Sequence, residues 1–152
     1  MGGFLTAVSL WWMYFERADE SAINKALRGG RRALLRSYVY GYSHVLAFMG
    51  IVATGVGIQF AIEAAAGHTF IAEARTVLCG GITLYLIGVT LLQWASPSSL
   101  PKAVISMRAV LALGSLCLIP LGAVMSPIAV VLILGLSLTA LNHFDGLPLS
   151  SS

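Results

Sequence analysis

The sequence predicts an all-α fold, a multi-pass transmembrane bundle of about five helices, and three observations carry that expectation. Hydrophobic residues make up 58% of the chain and charged residues only 10%, with a mean hydropathy of +0.89. A soluble domain carries about 25% charged residues, so this chain cannot cover itself with a hydrated surface and needs lipid as solvent. The apolar residues fall into five runs separated by short polar segments. Eight of the nine Lys and Arg residues fall in two alternate connections, the arrangement that orients a polytopic membrane protein.

The first span covers 2–15, about 21 Å of helix against a hydrocarbon core of about 30 Å. It lacks the basic start and small-residue end of a signal peptide, and closes instead on Trp11, Trp12, Tyr14 and Phe15. Residues 16–36 form a basic loop with Arg17, Lys25, Arg28, Arg31, Arg32 and Arg36. Its first half suits a short surface helix broken at Gly29-Gly30. The second span covers 38–65 and is long enough to tilt or protrude. The third covers 76–95 and closes on Gln93 and Trp94 at an interface. After a Ser/Pro turn the fourth covers 103–124, with Pro120 expected to kink it. Pro127 opens the fifth span, 127–141, and 142–152 form a polar tail.

Arg17, Lys25, Arg28, Arg31, Arg32, Arg36, Lys102 and Arg108 lie on one side, and Arg75 alone lies on the other. The rich side is expected to be cytoplasmic, which puts the N-terminus outside and the C-terminus inside the inner (plasma) membrane.

The second span carries small residues at helical spacing: Gly50, Ala53, Thr54, Gly57, Ala61 and Ala64. With no hydrophobic drive between helices in lipid, such a face lets another helix come close. Its partner lies either in this chain or in a second one, and small residues are also simply common in membrane helices. Gly81 and Gly88 give the third span a similar pattern, with Tyr85 near mid-membrane and in need of a hydroxyl partner.

Ionisable residues inside spans are the functional candidates. His44 follows Tyr40 by one turn, so it is either a proton-relay group or an interfacial histidine held by Tyr40. Glu63, with Gln59 one turn deeper, is the acidic residue of the second span and stands at its far end. Arg108 is expected to snorkel to the cytoplasmic interface. Trp11, Trp12, Tyr14 and Phe15 with Glu16 and Arg17 read as an interfacial anchor, or as a buried charge pair if the last two turn inward. Cys79 and Cys117 sit inside apolar runs and read as packing residues. Gly55-Val56-Gly57 lies at membrane depth without a preceding strand, so it is no dinucleotide fingerprint. No catalytic set, metal-ligand spacing or cofactor motif is legible, and neither an enzyme nor a nucleic-acid binder is expected.

The stretch Trp11-Trp12-Met13-Tyr14-Phe15-Glu16-Arg17 resembles the bacterial low temperature requirement A family. Tyr40-Gly41-Tyr42-Ser43-His44 and the glycine-rich 80–88 agree with that family in order and spacing. The resemblance implies a multi-pass inner-membrane protein and no defined activity. Family members are usually longer, with an acidic-aromatic Glu-Leu-Phe-Phe-Asp motif upstream that is absent here, so the chain is expected to match a C-terminal half. Two functions are therefore expected to compete. One is a transport or ion-permeation component using His44, Glu63, Gln59 and Tyr85. The other is a structural module that binds the bilayer and itself or another membrane chain.

Overall fold

A computed structural model describes residues 2–15, 31–67, 71–95 and 102–145, with side chains for 3–12, 35–67, 71–95 and 102–143. The described residues form five helices and no strand: α1 (Gly2–Phe15), α2 (Arg31–Ala65), α3 (Ala72–Ala95), α4 (Lys102–Leu121) and α5 (Pro127–Asp145). Within them, 35–65, 72–95 and 102–121 are long and apolar enough to cross a membrane, and α1 and α5 are shorter apolar helices. The chain is a membrane protein.

Helix ends follow local chemistry. Helix α2 begins at Arg31 rather than Tyr38, because Arg and Leu are good helix formers and nothing between 31 and 37 breaks the period. At about 52 Å it exceeds the hydrocarbon core and must protrude or tilt. It stops at Gly67, whose φ of 111° only glycine adopts without strain. Helix α4 ends at Leu121 rather than Val124. Pro120 falls in its last turn and Gly122 closes the end with a 2.8 Å bond to the Leu118 carbonyl, so the proline terminates the helix instead of kinking its middle. Helix α5 opens on Ser126-Pro127, a capping hydroxyl 3.3 Å from the Ala129 amide followed by a proline in the first helical position. It runs on to Asp145, so Asn142 belongs to a helix and not to the polar tail. The rest of that tail and the loop 16–30 lie outside the described residues.

Helix α3 is the most buried span and the axis of the bundle. Helix α2 packs along it antiparallel, α4 lies on another of its faces, and α1 runs parallel to α5. The α2–α3 seam alternates small against large. Gly50 faces Tyr85, Thr54 faces Gly81, Gly57 faces Leu78 and Ala47 faces Gly88. A Cβ added to Gly57 would lie 2.5 Å from the Leu78 Cα, and one added to Gly81 would lie 2.6 Å from the Thr54 amide nitrogen. The backbones therefore touch, and the close approach supplies the dispersion contact that drives helix association in lipid. Leu78, Ile82, Tyr85, Leu86 and Val89 fill the centre against Val130, Leu134 and Leu138 of α5.

Candidate functional site: buried polar pairs in the bundle

A polar group at membrane depth has no water to turn to, so it must bond to protein. The short hydroxyl side chains solve this locally. Thr54 donates to the Gly50 carbonyl at 2.7 Å and Thr90 to the Leu86 carbonyl at 2.7 Å, one turn back in each case. Five other contacts described here join different helices. The Ser9 and Thr139 hydroxyls meet at 3.0 Å between α1 and α5, and the Asn142 amide donates to the Ser9 carbonyl at 2.9 Å. The Thr83 and Ser115 hydroxyls lie 2.8 Å apart between α3 and α4. Tyr85 is fully buried and its hydroxyl donates to the Leu10 carbonyl, pinning α1 against α3.

The fifth contact corrects an expectation. Arg108 does not snorkel to the interface: it is 2% exposed, and its guanidinium donates to the Gln93 side-chain oxygen at 2.7 Å. Gln93 is buried as well, rather than sitting at an interface, whereas its neighbour Trp94 is 53% exposed. Gln93 stands two residues before the end of α3, and Arg108 six residues after the start of α4. The antiparallel α3–α4 pairing brings them together about 9 Å inside the start of α4. Thr83 and Ser115 stand 12 residues before the end of α3 and 13 after the start of α4, and that near-symmetric spacing was a usable signal in the sequence.

The other sequence candidates are dispersed. The His44 Nδ1 donates to the Tyr40 carbonyl at 2.7 Å, and its ring meets the Tyr40 ring edge-on at 4.7 Å between centroids. Glu63 is exposed at the opposite end of α2 and accepts from the Gln59 amide at 3.1 Å. Nineteen residues of helix separate His44 from Glu63, about 28 Å, so they do not form one site. Gly50, Thr54, Gly57 and Ala61 face α3, and Gly81 and Gly88 face α2. Trp11 and Trp12 are both exposed, with ring centroids 6.4 Å apart. The side chains of Tyr14 and Phe15, and residues Glu16 and Arg17, lie outside the described residues. Among the described residues no group of three His, Cys, Asp or Glu side chains could hold a metal ion.

The arrangement ties helices together in pairs and keeps the Arg108 cation buried between α3 and α4. Comparison with known proteins agrees with the membrane architecture. An uncharacterized protein of Rhizobium meliloti (strain 1021), RA0937, is 30% identical over 101 residues, 64% of this chain. The chain spans only about a quarter of that relative, the match covering 24% of its length. No solved structure matches. The family model described as bacterial low temperature requirement A protein (LtrA) matches residues 1–142, and the chain belongs to that family.

Proposed function

We propose that the chain is a non-enzymatic packing module of a larger multi-pass assembly in the bacterial inner membrane, its amino end outside and its carboxyl end in the cytoplasm. The observation behind this reading is where the buried polar groups go. Tyr85, Thr83, Ser9 and Gln93 each bond to a different helix, and none of them lines a shared polar path with His44 or Glu63. The orientation rests on eight basic residues against one. The assembly rests on the match to a quarter of a longer relative and on the exposed apolar faces of α2 and α4, among them Phe48, Val52, Val110 and Leu113.

Cross-linking in native membranes tests it. Cys117 is exposed on α4 while Cys79 is buried, so a membrane-permeant bis-maleimide reports on what lies against α4. A cross-linked product that disappears with Cys117→Ser is expected. A chain that stays monomeric in the membrane and in detergent sinks the reading.

A second reading, solute or ion handling, is favoured by Arg108, because a charge inside a membrane helix is costly and usually serves a substrate or ion. Purified protein in liposomes would then give a flux that Arg108→Met removes. No flux from the wild-type chain rejects this second reading and leaves the first untouched.

A further inference from the structure

We infer that the basic end of the α2–α3–α4 face carries a seat for one anionic phospholipid. Its phosphate is held by Arg36 and its acyl chain lies in the groove below Trp94. Arg36 stands in the second turn of α2, exposed, with its guanidinium carbon 5.9 Å from the centre of the Trp94 ring on α3. A guanidinium stacked on an indole keeps its N–H edge free to point outward, and that edge matches the two oxygens of a phosphate diester.

The second half of the seat is apolar, which selects a lipid over a free anion. Ile87, Leu91 and Trp94 recur at helical spacing on one face of α3. With Ile105 and Ala109 of α4, Ile87 and Leu91 line an open groove of about 210 Å³ between the two helices; Thr90 and Arg108 border it too, but Arg108 is 2% exposed and turned to Gln93, so the surface offered is almost wholly apolar. Trp94, 53% exposed, stands at the top of this strip, where an indole sits at headgroup level. Cation above and apolar groove below reproduce the polarity of one lipid molecule. Basic pockets between helices at the cytoplasmic side take anionic headgroups on this principle.

The test uses the full chain with Trp11→Phe and Trp12→Phe, so that Trp94 is the one fluorophore of its kind. The protein is reconstituted into phosphatidylcholine vesicles containing a fixed fraction of dibrominated phosphatidylglycerol or dibrominated phosphatidylcholine. Brominated phosphatidylglycerol is expected to quench Trp94 with an apparent affinity roughly five-fold higher, the equivalent of about 1 kcal/mol per juxtamembrane cation. Arg36→Gln is expected to erase that preference. Lys102→Gln removes a charge from the exposed start of α4 without touching the seat, and is expected to keep the preference. Equal quenching by the two lipids, survival of the preference in Arg36→Gln, or equal loss in Lys102→Gln would each overturn the assignment. Both substitutions are at exposed helix-end positions, and circular dichroism verifies that each variant is folded before the comparison.

Discussion

Replacing Gly57 by alanine is expected to destabilise the bundle by about 1–3 kcal/mol, the cost of overpacking a close interface. The new methyl carbon would lie 2.5 Å from Leu78 Cα, 2.6 Å from its Cβ and 2.7 Å from its amide nitrogen. Ordinary contacts begin at 3.4 Å, so α2 and α3 must separate by about 0.9 Å at this level. No side chain can rotate away, because the obstructing atoms are backbone and Cβ. A radial gap of 0.5–1 Å already forfeits about a quarter to a half of each dispersion well along the seam. In lipid that contact is most of what holds two helices together.

Gly55→Ala is the matched control. It lies two residues away on the same helix with nothing within 4 Å of its added Cβ, so it is expected to be neutral or stabilising by up to about 1 kcal/mol through helix propensity. The two variants should therefore differ by about 1–4 kcal/mol. Reversible unfolding in mixed micelles, titrated with dodecyl sulfate and followed by circular dichroism, measures the difference. Adding Leu78→Ala to Gly57→Ala should bring its own loss and no rescue, since alanine keeps the three obstructing atoms. Equal stability of Gly57→Ala and Gly55→Ala, or rescue by Leu78→Ala, would refute the backbone-contact account.

The buried polar pairs give further expectations on the same unfolding assay. Gln93→Leu removes the acceptor of a charged donor and should cost about 1.5–3 kcal/mol, and the double variant Gln93→Leu/Arg108→Leu should recover part of that loss. A double variant that is worse than Gln93→Leu would mean that the Arg108 charge, and not its pairing, supports the fold. Tyr85→Phe should cost about 0.5–1.5 kcal/mol by removing the inter-helix donor that the Leu10 carbonyl accepts from beside its own helix bond. An unchanged midpoint would show that the Tyr85 bond contributes nothing to the hold on α1. A Thr83→Val/Ser115→Ala cycle should report a coupling near 0.6 kcal/mol, the mean for such bonds in membrane helices, and zero coupling would exclude the direct bond.

The spans were legible because lipid imposes a long apolar run on every crossing, and five runs in the sequence became five helices. The small-residue face of α2 was legible as a face because its period is local to one helix. Its partner was not, since that depends on how α3 docks, and the docking register sets Gly50 against Tyr85 and Gly57 against Leu78. Arg108 was misplaced for a related reason. Six residues into a helix, an arginine can lie up toward the headgroups or inward, and the choice is made by a neighbour on another helix. Gln93 offers that neighbour, and the expectation for Arg108 weighed only its own helix. Asn142 was assigned to a tail by the Gly, Pro and Ser that follow it, while its amide had a helical partner in Ser9 of α1.

These contacts also separate what holds the bundle from what it presents. Helix α3 uses one face for the backbone seam with α2 and another for Thr83 and Gln93 against α4, so its polar and small residues are committed inward. Helix α4 differs: few of its positions are buried, and Val110, Leu113 and Leu116 face outward. Its hold on the bundle therefore rests on two polar pairs and the partly buried Leu111, Ala112, Leu118 and Ile119 rather than on a backbone seam. Because intramembrane hydrogen bonds are worth only about 0.6 kcal/mol on average, α4 should be the spanning helix that detaches at the lowest denaturant concentration. Cysteine accessibility along α3 can establish the order. A cysteine at Thr83, facing α4, should become reactive before native Cys79, which is fully buried. Simultaneous exposure would show that α4 and the α2–α3 core unfold as one unit, and the division between seam and polar clasp would then have no energetic meaning.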